Sequence, residues 1–199
     1  MAFPAFIILC MQNDLCHPEG VYARHGLKPA HIPHILPNIV KTALFCKEQR
    51  IPVIASSLSI ITDLEGNACI GGVKKIRPFL AAEGFRKNTW GHDLLEEIPT
   101  PNYTISQWGM SPFYQTELSY LVQALGIDTL ILSGFTTNGS VESCARECSS
   151  RGLRAVTLTD CVASYSDALH QGSLINLGSF GKIMSSEDWV EQFEKSLHP

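Results

Sequence analysis

The sequence has no apolar run near the roughly 18 residues that a membrane-spanning helix needs. Its first fourteen residues, MAFPAFIILCMQND, have an apolar stretch but neither a positively charged leader nor a small-residue cleavage site. They are therefore read as a first strand and not as a signal peptide. There is no C-x-x-C pair, no glycine-rich phosphate loop, no repeat and no low-complexity tract. A redox dithiol motif and a P-loop are thereby excluded. Charge is sparse at 17%, and basic residues are outnumbered, 15 to 19, for a net charge of −4. A mildly acidic chain without a basic stripe is not built for nucleic acid or an anionic membrane.

What is present is enough apolar residue, 45% of 199, to fill a sizeable core, and the length suits one domain over residues 1–199. Seven cysteines (10, 16, 46, 69, 144, 148 and 161) are odd in number and scattered, which implies free thiols in a reducing, cytoplasmic compartment. Cys144 and Cys148 stand four apart on a predicted helix, without a second ligand pair nearby in sequence. Buried small apolar residues describe them better than metal ligands.

Apolar runs at 3–11, 52–58, 103–107, 128–133, 154–160 and 182–184 predict strands. Helical periodicity occupies 31–50, 116–125, 140–151, 168–177 and 186–197, with Pro37 marking a late start or a kink in the first of these. Residues 59–102 are irregular and too long for an ordinary loop. Alternation of strand and helix predicts a three-layer α/β/α domain with a mostly parallel central sheet, and a binding site at the C-terminal strand ends.

Three segments fall at such ends: CMQNDLCHPEG, SQWGMSPFYQTEL and SGFTTNGSVESCARE. Together they resemble the isochorismatase-like, or cysteine hydrolase, superfamily. NDLCHPEGVYARHG and NTWGHDLLEEI resemble its ureidoacrylate and biuret amidohydrolase branch, and DCVAS and His170 also fit. The resemblance implies a Cys nucleophile at a helix start, an Asp that moves its proton, a Lys between them and a backbone oxyanion hole. It also implies a small-molecule substrate and a homo-oligomer, a dimer or tetramer.

This sequence departs from that pattern at all three side chains. The Asp position is Cys10, the Lys position is Gln107 and the nucleophile position is Ser140. The three are the candidate catalytic residues, and as a set they exchange a charged group for a neutral one. Removing one partner of a buried ion pair alone costs about 3–5 kcal/mol, whereas a neutral pair can be accommodated. Serine without an adjacent base is a weak nucleophile, and a thiol near its ordinary pKa of about 8.5 is only slightly ionised at neutral pH. Loss of general-base assistance removes about 10²–10⁴-fold in rate.

Three readings are open: a non-standard enzyme that uses the trio otherwise, a pseudoenzyme that binds a ligand or protein, and amide hydrolysis by Ser140. A laboratory Cys-to-Ser change would account for Ser140 but not for Cys10 or Gln107.

Thr136 aligns with the oxyanion position, together with the Ser140 backbone, and a cis Phe135–Thr136 peptide is expected. Trp90, Trp108, Phe113 and Phe135 are candidate pocket walls, each with core packing as its alternative. Asn13 is a candidate substrate contact, with turn capping the other role for it. Ser140 doubles as a candidate helix N-cap. Asp14 is read as structural, and His17 and His92 as solvated loop residues. The nicotinamidase branch carries an Asp and two His after its second strand. The corresponding stretch, ASSLSIITDLEG, has no histidine, so neither a metal nor another cofactor is expected.

Overall fold

The computed structural model describes residues 3–70 and 73–197. Six strands form one sheet: β1 (Pro4–Leu9), β2 (Val53–Leu58), β3 (Tyr103–Gln107), β4 (Thr129–Phe135), β5 (Arg154–Ala163) and β6 (Lys182–Met184). Their order is β3-β2-β1-β4-β5-β6, and every neighbouring pair is parallel. The helices are α1 (Asn13–Cys16), α2 (Val21–Arg24), α3 (Ile32–Glu48), α4 (Val73–Ile76), α5 (Leu118–Ala124), α6 (Glu142–Ser150), α7 (Asp167–Leu177) and α8 (Ser186–Leu197). No helix among the described residues is long and apolar enough to cross a membrane.

β1 shows why the layers form. Its residues alternate between faces with a period of two. Phe6 and Ile8 join Ile35, Ile39 and Ala43 of α3 and Trp189 of α8 in one core. Ala5, Ile7 and Leu9 join Leu118 of α5 and Cys144 and Cys148 of α6 in the other. A strand covered on both faces must be apolar throughout, which is how β1 reads.

Several element boundaries differ from the sequence expectations. β1 stops at Leu9 because Cys10 adopts a left-handed φ of 53° and turns the chain off the sheet. α3 runs continuously through Pro37, correcting the late start. That proline lies in the second turn, and the packed face of the helix carries it through the missing hydrogen bond. β5 extends to Ala163, past an irregularity in which Leu132 pairs with Thr157 but Gly134 pairs with Val162. Gly134 has φ +113°, and a Cβ there would stand 2.1 Å from the Leu9 carbonyl oxygen, so the β1–β4 seam needs glycine at this point.

Candidate active site

The switch in strand order between β1 and β4 opens at their C-terminal ends, where a doubly wound sheet places its site. Cys10 leaves β1 there, Gln107 ends β3, and Ser140 lies in the tight turn Thr137–Val141 that leads into α6. The fold brings these three together, although they are 97 and 33 positions apart along the chain. All are buried: Cys10 is 2% exposed, Gln107 0% and Ser140 6%.

Their hydrogen bonds close into a ring. The Gln107 Nε2 amide donates to Ser140 Oγ at 2.9 Å. Ser140 Oγ lies 3.3 Å from Cys10 Sγ, and the thiol donates to Gln107 Oε1 at 3.7 Å. Nε2 also faces the carbonyl oxygens of Gly109 at 2.6 Å and Met110 at 3.0 Å. These two carbonyls fix which side of the amide carries the hydrogens, so Oε1 must face the thiol. The consistent assignment sends Ser140 O–H to sulfur, and each group both gives and receives. Burial pushes the Cys10 thiol up from its ordinary pKa, against weaker opposing contributions from Ser140, Ser56 and the Leu58 backbone. A neutral thiol in a neutral ring has no base beside it.

Ser140 is not a helix N-cap. It follows a kink at Gly139 (φ −116°, ψ −106°), Val141 stands at the N-cap position of α6, and the Ser140 hydroxyl turns inward to Cys10 and Gln107. The Phe135–Thr136 peptide is cis. Thr136 opens the same turn, and its carbonyl accepts from Gly139 N at 3.0 Å and Val141 N at 3.3 Å.

The other candidate residues divide. Trp90 and Trp108 are 49% and 37% exposed. Phe113 is in the core with α5 and α6, and Phe135 packs edge-on to Tyr165 at 4.7 Å, so neither of these rings reaches the surface. Asn13 is buried and its amide donates to Trp90 O at 2.7 Å. Asp14 accepts from Val21 N at 3.3 Å and Phe85 N at 2.6 Å, as a structural residue should.

His92 is not simply solvated: it is half-buried and bonded to Ser59 Oγ at 2.8 Å, and burial lowers its pKa. His17 packs edge-on to Trp90 with ring centroids 5.0 Å apart. Among the described residues, no three His, Cys, Asp or Glu side chains are grouped to hold a metal. A cleft of about 500 Å³, lined by Cys16, Ile32, Leu36 and Leu95, lies against α3, and its lining includes none of the trio.

Sequence reasoning missed Ser56. It lies on β2, pairs with Leu9 of β1, accepts Cys10 N–H at its own carbonyl, and is fully buried. Among the described residues its Oγ has no hydrogen-bond partner, and its influence on the Cys10 thiol opposes that of burial. The available signal was a serine at the end of a strand predicted to lie beside β1.

The sheet order and the site at its switch point define an isochorismatase-like α/β fold. A family model described as the isochorismatase domain matches residues 4–188, and the chain belongs to that family. An uncharacterized isochorismatase family protein of Bacillus subtilis (strain 168), YwoC, is 36% identical over 94 residues, 46% of this chain and 49% of that protein. The match therefore spans about half the length of that relative. The ureidoacrylate amidohydrolase RutB of Methylobacterium radiotolerans is 30% identical over 96% of this chain and 78% of its own. A cysteine hydrolase from Pseudomonas syringae pv. phaseolicola superposes with a TM-score of 0.84 over 97% of this chain and 93% of its own. At 20% identity, that likeness concerns the fold.

Proposed function

We propose that this chain binds a small polar molecule bearing an amide or ureido carbonyl at the strand ends, and does not cleave it by the covalent cysteine route. The closed, neutral ring of Cys10, Gln107 and Ser140 carries this reading. Hydrolysis needs a nucleophile whose proton has somewhere to go. Here the Ser140 proton is directed at a thiol, and the Gln107 amide cannot accept one. Binding needs less. Gln107 Nε2 has two hydrogens for three acceptors, so a ligand carbonyl can take over one of its bonds. The ureidoacrylate amidohydrolase relative supports a carbonyl of the ureido class.

The same reading takes residues 1–199 as one domain of a homo-oligomer in a reducing, cytoplasmic compartment. Seven free thiols, six of them buried, support that compartment.

Incubation with 3-ureidoacrylate should release product no faster than buffer, and intact-mass spectrometry should show no acyl adduct on Ser140. Saturation-transfer NMR should nonetheless show succinamide or 3-ureidoacrylate in contact with the protein, and Ser140→Leu should abolish the contact. Turnover, an acyl ester on Ser140, or no contact with either probe would overturn the proposal. Mild alkylation should modify exposed Cys69 well before buried Cys10. Preferential labelling of Cys10 would favour a reactive thiol and an enzyme.

A further inference from the structure

The ring of Cys10, Gln107 and Ser140 lies where the parallel strands finish. At the opposite end, where β2 and β3 begin, there is a cavity of about 480 Å³. Lys47 and Arg50 from the end of α3, Pro52 just before β2, and Asn102 and Tyr103 at the start of β3 line it. Among the described residues, no Asp or Glu lines it.

The lining offers donors and little else. No ion pair among the described residues includes Lys47 or Arg50. Asn102 Oδ1 accepts from Val53 N at 2.9 Å, which fixes the amide and turns its hydrogens to the other side. The helix-end carbonyls of Phe45, Cys46 and Lys47 do not compete for the cations, because they already accept from Gln49, Ile51 and Arg50. Two cations beside an amide donor, with no facing acid, form a cradle for an anion.

Arg50 occupies its place at a conformational cost. It has φ 57°, in the left-handed region, where α3 closes: Arg50 N donates to Lys47 O at 3.1 Å and Ile51 N to Cys46 O at 2.8 Å. α5 and α6 close with the same pair of bonds, and there the left-handed residues are Gly126 (φ 64°) and Gly152 (φ 72°). Glycine suits this closure, whereas a side chain at such a φ is sterically opposed. The closure therefore does not call for arginine. What Arg50 adds is a second positive charge on the cavity wall beside Lys47.

We propose that this cavity binds a phosphate dianion, free or carried by a small molecule. Lys47 and Arg50 hold its oxygens and the Asn102 amide donates to them. A dianion answers both cations, and a planar guanidinium meets two phosphate oxygens at once. The site is separate from the buried ring and does not depend on the function proposed above.

The full chain should be titrated with inorganic phosphate and with phenyl phosphate at constant ionic strength and about pH 8, where both are dianions. In amide-resolved NMR, the Arg50, Asn102 and Tyr103 signals should shift and saturate below about 5 mM. Acetate, with a single charge, should bind at least about threefold more weakly. Arg50→Gly and Lys47→Met should each weaken phosphate binding about fivefold. Arg50→Gly should nevertheless melt no lower than the wild-type chain, because glycine accepts the left-handed φ. Tighter binding of phenyl phosphate than of phosphate would support a phosphate ester seated against Tyr103, and equal binding would support free phosphate. Shifts that do not saturate, acetate binding as tight as phosphate, or full affinity in either variant would overturn the proposal. So would a lower melting temperature in Arg50→Gly, which would assign the arginine to the helix end.

Discussion

Residues 10, 107 and 140 and residues 12, 13 and 14 are two buried polar trios that each draw on the segment just after β1, and their hydrogen bonds run in opposite directions. The first trio bonds mainly to itself. The second bonds outward, to Leu58, His92, Trp90, Val21 and Phe85. Burial demands partners from both. A self-satisfied cluster is nevertheless replaceable as a unit, whereas an outward-facing clamp fixes the position of other segments. The clamp sequence QND is one of the motifs by which the sequence resembles the family.

The sharpest way to break the comparison is to put charge into the ring. Cys10→Asp alone should destabilise the chain by about 3–5 kcal/mol in denaturant unfolding, because it strands a buried carboxylate. The double variant Cys10→Asp/Gln107→Lys should recover most of that loss. Equal stability of the single and double variants would show that the two positions are not coupled. Adding Ser140→Cys to the double variant tests whether the charged ring supports ureidoacrylate hydrolysis.

The clamp should give the next largest effect. Asp14→Ala leaves the Val21 and Phe85 amides without an acceptor, at about 2–4 kcal/mol, and should speed hydrogen exchange at Phe85. Ser140→Ala should cost about 1 kcal/mol or less, because Gln107 keeps two carbonyl partners and the thiol keeps Gln107. A larger loss for Ser140→Ala than for Asp14→Ala would reverse the comparison.

The smallest effect concerns pH. Burial holds the His92 pKa below that of the unfolded chain, ahead of opposing contributions from Asp93 and Asp14 and a reinforcing one from Lys87. The folded state therefore favours neutral His92. That contribution is fully present above the unfolded value of about 6.5 and is lost as pH falls towards the folded value. His92→Gln should flatten the loss in a pH series of melting temperatures.

The layered fold was legible because β1, β2 and β4 are apolar on both faces and α3 and α6 carry helical spacing. The ring was legible because its three positions follow motifs at strand ends. Residues 59–102 were not legible. Their course is set by Gln12, Asn13 and Asp14, dozens of positions away, and no local period records such a tether. Gly91 shows the same limit: a Cβ there would stand 2.2 Å from the Asp14 carboxylate, a packing constraint invisible in the local sequence. Ser56 escaped for a related reason, since its importance lies in the register of β2 against β1.

The orientation of the Gln107 amide has one more consequence. The lone pairs of Gly109 and Met110 give the ring a single sense of rotation, from amide to hydroxyl to thiol and back. A glutamate of the same shape would be a poor isostere when ionised. It would present oxygen to two carbonyl oxygens and could not start the cycle.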